Sequence, residues 1–408
     1  MAVVKKKKKF WSDIWVKGPI NYNLFFAILF LCVFGLIMIY SASYYSATNM
    51  GFSSAYYVQR QGIFAAVGIL AMLFVSRINY HFWVKIGFVG YPLAVLLLLM
   101  LIPFGHGAKG AVRWIRLGPV QFQAAEPVKL FLMVFFAWYV KKIGFNIRKY
   151  RMLAWFLALV IALMLLFISD NMSTAVIVLG ICYVMFLVSR KKCKSYLISI
   201  AVAVVFVALA LLVIEFVVPV SPNENFRITR IRAFMHPDQY AASQGLQAQQ
   251  ALYAIGAGGF WGKGLGQSLV KFKLSEPYTD YILAIICEEL GVFGGCLLLF
   301  LFGYLVVQIV KIARNACDIE GKIFCVGVFA QISVQTILNV MVVANWFPTT
   351  GVTLPFISYG GASVVFLLIE FGVVFNIDNV AKNKKYRHEA IEEIQKEEER
   401  RKRYQYGK

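Results

Sequence analysis

Apolar runs of about twenty residues, the length a helix needs to cross a hydrocarbon core, recur along most of the chain, separated by basic or glycine-rich breaks. Ten such runs can be placed, at 21–45, 57–76, 84–103, 125–140, 152–169, 171–189, 196–218, 281–310, 322–345 and 361–378. They predict an all-α polytopic membrane protein of about ten transmembrane helices. Residues 21–380 carry the membrane domain, between a basic amino-terminal segment, 1–20, and a charged tail, 381–408.

The polar breaks fall into two sets. The amino end, the blocks at Arg77–Lys85, Lys141–Arg151, Arg190–Lys194 and Lys311–Lys322, and the tail together hold 30 of the 41 Lys and Arg residues. The positive-inside bias places these segments, and both termini, in the cytoplasm. The exterior set comprises glycine-rich Phe104–Ala125, a long loop at 219–280, and Phe347–Ser363 with Pro348, Gly351, Pro355, Gly360 and Gly361. The long loop carries Phe234, Leu246, Leu252, Ile255, Phe260 and Trp261, too apolar a set for disorder. Within it, Gln244–Ile255 reads as a short amphipathic helix against the membrane surface. Irregular backbone at membrane depth survives only where protein or a water-filled cavity satisfies its polar groups. Three such segments on one side therefore predict an outward-facing cavity.

Composition strengthens the membrane reading: 60% of residues are hydrophobic and 15% charged, with a mean hydropathy of +0.70, whereas a soluble domain is about a quarter charged. The net charge of +21 would suggest nucleic-acid binding in a soluble protein. Here the basic residues lie between apolar spans and no soluble unit is left to bind nucleic acid. Lys5–Lys9 ahead of the run Leu24–Tyr40, with Ser41-Ala42-Ser43 after it, resembles a signal peptide. The run exceeds the usual signal core of about 7–15 residues, and further spans follow, so an uncleaved first helix is expected. The tail from Lys382 to Lys408 alternates acidic and basic blocks and reads as an exposed helix or disorder. The seven cysteines fall in spans or on the cytoplasmic side, which predicts no disulfides, and neither they nor the four histidines have metal-ligand spacing.

Ionisable groups within or at the mouth of spans are the first candidates for chemistry, because burying them is costly. Glu126 and Lys129 are three apart on the fourth span and share a face; they form either a self-neutralising structural pair or part of a site. Asp280 opens the eighth span. It is either a helix N-cap or a carboxylate at the lip of the cavity, tuned by partial desolvation as a general base. Glu288 and Glu289 extend a polar stripe along that helix or pair with a basic group elsewhere. The run from Gly256 to Gly266 matches neither a dinucleotide nor a P-loop fingerprint and follows no strand. Its backbone N–H groups, with Lys263, Lys271 and Lys273 nearby, are suited to an anionic head group. Arg227, Arg230 and Arg232 form a second exterior basic cluster, for which attraction to anionic lipid is the plainer explanation.

Several segments together resemble the SEDS family of shape, elongation, division and sporulation proteins. Pro348-Thr349-Thr350-Gly351-Val352-Thr353-Leu354-Pro355-Phe356-Ile357-Ser358-Tyr359-Gly360-Gly361 is similar to the family signature before its last span. Lys109–Ile115 resembles its first exterior-loop motif, Glu126 and Lys129 its Glu-x-x-Lys pair, and Arg230–Pro237 its Arg-rich stretch. Gln250–Gln267 and Glu276–Ile282, followed by Glu288-Glu289-Leu290-Gly291, continue the match over about residues 20–380. Departures occur at Gln123–Glu126, Ser169–Thr174 and Leu274–Glu276, where backbone-shaping neighbours change and the ionisable residue stays. The Pro-Thr-x-Gly-Val-Thr-Leu-Pro and Gly-Leu-Gly-Gln-Ser forms are most like the division and sporulation branch.

The resemblance implies a peptidoglycan glycosyltransferase that polymerises lipid II, a disaccharide-pentapeptide on undecaprenyl pyrophosphate, at the outer face of a bacterial cytoplasmic membrane, at the division septum. It implies Asp280 as the catalytic base. It further implies substrate contacts from Arg113, Glu126, Lys129, Arg230, Arg232, Lys271, Glu276, Thr279, Ser358, Tyr359, Gly360 and Gly361. Stabilisation of the leaving pyrophosphate falls to these cations or to a divalent ion, Mg²⁺ or Mn²⁺. The implied partners are a class B penicillin-binding protein transpeptidase, other divisome proteins and the bilayer. A lipid II flippase, which also suits buried charges and broken helices, and a division-complex scaffold are the competing readings.

Overall fold

The computed structural model describes residues 15–16, 18–108, 111–117, 120–143, 172–189, 226–236, 239–240 and 244–406. The predicted spans 152–169 and 196–218 lie outside the described residues. The helices are α1 (Tyr22–Asn49), α2 (Tyr56–Val75), α3 (Tyr80–Lys85), α4 (Gly90–Leu99), α5 (Leu101–Phe104), α6 (Ala125–Ile143), α7 (Met172–Ser189), α8 (Phe226–Met235), α9 (Gln244–Gly258), α10 (Ile282–Asn315), α11 (Ile319–Val343) and α12 (Ala362–Tyr406). Among the described residues, five helices are long and apolar enough to cross a membrane: α1, α2, α10, α11 and the Ala362–Lys384 part of α12. The protein is a multi-pass membrane protein. The tail continues α12 as helix to Tyr406.

Outward faces confirm the solvent these helices were built for. On α1 the exposed side chains Phe26, Phe30, Val33, Ile37, Tyr40 and Tyr44 recur every three or four residues, and on α2 Ile63, Val67, Leu70 and Phe74 do the same. In water such stripes would be aggregation surfaces; against lipid tails they cost nothing. The opposite face of α1 buries Leu24, Ile28, Leu31, Met38 and Ile39. α12 packs along α2, α10 against α11 and α1, and α11 against α6 and α7.

The all-α expectation needs one correction. Three antiparallel strands, β1 (Gly105–Ala108), β2 (Ala111–Leu117) and β3 (Val120–Gln123), pair in the order β1-β2-β3. A glycine-rich segment that cannot be helical at the end of a bundle satisfies its N–H and C=O groups by pairing with itself.

The predicted amphipathic helix is present as α9, and it packs on α10. Its inward residues Gly245, Ala248, Ala251 and Ala254 are small, so the two backbones approach closely. Leu246, Leu252 and Tyr253 remain on its exposed side.

Downstream of α9, the glycine run plugs a break in α10. Gly291, at φ 73° and ψ −178°, interrupts α10 in a region of conformational space open essentially to glycine alone. The carbonyls of Glu288 and Glu289 that the break frees accept from the N–H groups of Lys263 (3.0 Å) and Gly264 (2.9 Å). The N–H groups of Val292 and Phe293 donate to the carbonyls of Gly259 (2.9 Å) and Phe260 (3.2 Å). The helix break and the loop thus satisfy each other, as irregular backbone at membrane depth requires. The loop N–H groups of Lys263 and Gly264 are used in this way, and not on an anionic head group.

Candidate functional site

Two ends of the bundle can be told apart. α10 runs 34 residues from Ile282, just after Asp280, to Asn315, roughly 50 Å at 1.5 Å per residue. The first end holds Asp280, the α1–α2 turn and the segment 344–361. At the other lie the Trp15–Ile78 bridge, Asp318 and Asp378.

The 344–361 segment carries no regular structure, yet Val352, Leu354, Phe356 and Ile357 are buried. Phe356 holds a left-handed φ of 64°. The backbone polar groups of this segment are met by side chains from the helices. Gln61 of α2, itself buried, accepts at Oε1 from the N–H groups of Gly360 (3.2 Å) and Gly361 (2.9 Å) and donates from Nε2 to the Ser358 carbonyl (3.4 Å). The Ser358 hydroxyl accepts from Leu354 N–H (2.8 Å).

This segment grips the residues ahead of α10 through three consecutive carbonyls. Tyr278 C=O accepts from Tyr359 N–H (2.9 Å), Thr279 C=O from the Ser358 hydroxyl (2.6 Å), and Asp280 C=O from Asn339 Nδ2 (2.9 Å). The same Asn339 amide donates to Val352 C=O (2.8 Å), so one buried side chain of α11 ties both strands of the junction. Helix α10 begins at Ile282 with Tyr281 at the N-cap position; Asp280 stands outside the cap, half-buried. Tyr278 and Tyr359 pack against Tyr57 at centroid distances of 4.4 and 5.1 Å, the first tilted and the second edge to face. Burial pushes the Tyr278 and Tyr281 phenols well above their ordinary range.

A small cleft opens beside this junction, lined by Glu126 of α6, Gln331 and Gln335 of α11, Thr353–Phe356, Ser358, Gly360, and Ser363, Val364 and Leu367. Glu126 pairs with Lys129 at 2.9 Å, both buried. The structure therefore brings Glu126, Ser358 and Gly360 to the cleft and binds Thr279, Asp280, Tyr359 and Gly361 to its rim. Arg230 of α8 reaches the same rim: its guanidinium donates to Thr349 C=O (3.2 Å), and it acts electrostatically on Tyr281 together with Asp280. Glu276 is exposed, with a left-handed φ of 55°, and its carbonyl accepts from the Thr279 hydroxyl (2.7 Å). Arg232 is buried. The Arg113 backbone lies in β2, and its side chain is outside the described residues.

Lys271 is not brought to the cleft. It is buried, donates to Gly266 C=O (2.6 Å) and lies 3.6 Å from Glu289. Lys263 pairs with Glu288 at 2.7 Å. Glu288 also takes the N–H groups of Leu269 and Val270, and Glu289 takes the Ser41 hydroxyl from α1. These two buried carboxylates thus fasten the loop to the broken helix. Ser358 is similarly committed, since its hydroxyl both accepts and donates within the junction.

Among the described residues, His81, Asp318 and Glu320 are the one group whose donor atoms, within 4.8 Å of one another, can hold a metal ion. They lie at the end opposite Asp280. His81 Nε2 stands 2.9 Å from Asp318 and 3.2 Å from Glu320, while Lys141 stands 2.6 Å from Glu320. An ammonium already seated on that carboxylate opposes a cation there. Around Asp280 the neighbouring carboxylates Glu288 and Glu289 are consumed by the loop, so the described residues do not assemble a divalent-cation donor set at that rim.

Sequence reasoning weighed charged groups and passed over Gln61, Gln331, Gln335 and Asn339. The signal was available: neutral amides within apolar spans are costly unless partnered, and these four line the cleft or satisfy the segment beside it.

With this geometry in place, comparisons with known proteins are informative. The sequence model of a family described as Cell cycle protein, covering FtsW, RodA and SpoVE, matches residues 22–383. Stage V sporulation protein E of Bacillus subtilis is 35% identical over 87% of this chain and 95% of its own length. The probable peptidoglycan glycosyltransferase FtsW of Trichlorobacter lovleyi is 36% identical over 87% of this chain and 92% of its own. Among solved structures, a chain from a study of structural coordination of polymerization and crosslinking by a peptidoglycan synthase complex superposes with a TM-score of 0.72 at 23% identity, covering 89% of this chain and 98% of that one. The rod shape determining protein RodA of Thermus thermophilus gives 0.63 at 22% identity, over 88% and 97%. At these identities the structures speak to the fold.

Proposed function

The chain belongs to the FtsW, RodA and SpoVE family of cell cycle proteins, and from that membership we propose that it is a peptidoglycan glycosyltransferase extending glycan strands from lipid II. The observation that carries the site assignment is the triple carbonyl clamp. It fixes the backbone of Asp280 at the rim of the cleft without using the side chain as a helix cap. In this reading Asp280 accepts the proton of the acceptor sugar's 4-hydroxyl as that oxygen attacks the donor's anomeric carbon. The glycosidic bond forms on the opposite face as the bond to the pyrophosphate oxygen breaks, and the electron pair leaves with the pyrophosphate. Arg230, at the same rim, and Arg113 are suited to stabilise that departing charge. The Glu126–Lys129 pair and the cleft beside it are suited to the sugar end of the substrate, and the apolar outer stripes to its lipid tail. Exterior placement of this end and a septal location follow from the charge bias and the branch resemblance. The likeness to a synthase-complex chain supports a transpeptidase partner.

The deciding measurement compares purified wild type with Asp280→Asn in a lipid II polymerisation assay, with a class B penicillin-binding protein present. The expected result is loss of strand synthesis by at least about 100-fold, the scale of general-base removal, with lipid II still bound. Synthesis at the wild-type rate by the variant would remove Asp280 from the role of base. If neither protein polymerises and vesicles carrying the wild type move lipid II across the bilayer, the flippase reading replaces this one.

A further inference from the structure

Below the cleft, α12 carries Glu370, fully buried, with neither carboxylate oxygen in hydrogen-bond contact. Ser363 and Leu367 of the same helix line the cleft, and Glu370 follows on that face one turn deeper. The charged groups that act on it come from α6, Glu126 and Lys129, and the amide of Gln331 adjoins it from α11. Gln331 Oε1 is itself buried without a partner. α2 meets α12 at this level through Gly68 and Met72 and has no titratable side chain there. The acids of α10, Glu288 and Glu289, are spent on the 263–271 loop.

Charge balance makes this cluster incomplete. Glu126 and Lys129 neutralise each other at 2.9 Å, which leaves the Glu370 carboxylate without a counter-charge in the interior of a membrane protein. An isolated ionised carboxylate in such surroundings is strongly disfavoured even after relaxation. Neutral water would solvate it without cancelling the charge. A divalent ion would overshoot, because Glu126, Lys129 and Glu370 together leave a single negative charge. Carboxylate and amide oxygens are donors for hard cations or for a proton.

We propose that Glu370, with Gln331 Oε1 and the Glu126 carboxylate beside it, forms an intramembrane site that takes up one monovalent cation, a proton or a sodium ion, by way of the cleft. The site is separate from the Asp280 rim and does not rest on the glycosyl-transfer reading. It gives the cleft a charge state set by the solution on one side of the membrane.

The test uses the full chain in nanodiscs of zwitterionic lipid and needs no turnover. Dicyclohexylcarbodiimide, which attacks protonated carboxyl groups in apolar surroundings, is followed at Glu370 by mass spectrometry. The measurement is made in sodium and in N-methylglucamine buffers of equal ionic strength, across a range of pH. For a sodium site, labelling slows about tenfold when sodium stands at about ten times its Kd, and the thermal midpoint rises with sodium. For a proton site, sodium has no effect, labelling falls as pH rises, and the infrared spectrum of the wild type has a protonated-carboxyl band that Glu370→Gln lacks. Labelling indifferent to both sodium and pH overturns the proposal, as does a folded wild type with no label, no such band and no sodium-dependent midpoint. Should Glu370→Gln fail to fold, the labelling and melting of the wild type still decide.

Discussion

Asn339 directs both hydrogens of its amide to carbonyl oxygens, those of Asp280 and Val352. That makes it a positioning residue for whatever Asp280 does. Deleting the amide leaves two buried carbonyls unsatisfied, at a cost of about 1–3 kcal/mol each. It also frees the rim to shift, and a displacement of about 1 Å at a reacting group costs on the order of 100-fold in rate. Asn339→Ala is therefore expected to lower kcat for lipid II polymerisation by about 100-fold while KM moves only a few-fold. A KM rise with kcat unchanged would mean that Asn339 shapes substrate binding instead. Ser358 belongs to the same clamp. Its hydroxyl accepts from Leu354 N–H and donates its one hydrogen to Thr279 C=O, so it can meet a substrate only as an acceptor.

At the scale of single elements, α10 is a helix that works broken. Gly291 permits the break, and a Cβ built there would lie 2.1 Å from the Phe260 carbonyl oxygen. Gly291→Ala combines that clash with a backbone region closed to alanine, a penalty of about 3 kcal/mol or more. The expected outcome is a lowered midpoint in detergent thermal melts and loss of the 259–264 loop's protection from hydrogen exchange. Retention of both would show the break to be adjustable. α11 starts by a different device. Asp318 caps it through Gly321 N–H (2.8 Å) and also receives His81 and Tyr80. Burial opposes ionisation there, but the hydrogen bonds from His81, Tyr80 and Gly321 prevail and hold the carboxyl below its ordinary range. The stability it contributes is full above the unfolded carboxylate pKa of about 3.9 and is lost as pH falls through the lower folded value. Asp318→Asn is expected to cost about 1–2 kcal/mol at neutral pH. The gap between the two proteins' melting midpoints closes below about pH 4.

Over the whole molecule, polar chemistry is sorted by end and by depth. The Asp280 end holds the carbonyl clamp, Arg230 and the cleft, with Glu126, Lys129, Gln331 and Glu370 beneath it. The opposite end holds the His81–Asp318–Glu320–Lys141 cluster, which ties α3, α6 and α11 together. Apolar stripes on α1 and α2 wrap the outside. This arrangement suits a substrate whose reactive head lies at one face of the membrane and whose tail lies in it.

The sequence by itself determined the solvent and which residues were too costly to bury idly. These are local properties: apolar runs mark segments suited to a bilayer, and a charged group among them is costly wherever it lacks a partner. It also marked Asp280, the Glu126–Lys129 pair and the 348–361 segment, because the order of residue types along the chain carries the family resemblance. Only the tertiary structure decided what each polar group is spent on. Lys271 and the glycine run looked like anion binders, but they are consumed in mending the break in α10, because Glu288 and Glu289 stand opposite them in space and not in sequence. Asn339, Gln61 and Glu370 went unremarked for the same reason. A buried amide or acid has a meaning only through the partner it meets or lacks, and partners 300 positions apart, as Gln61 and Gly361 are, become neighbours only in the folded chain.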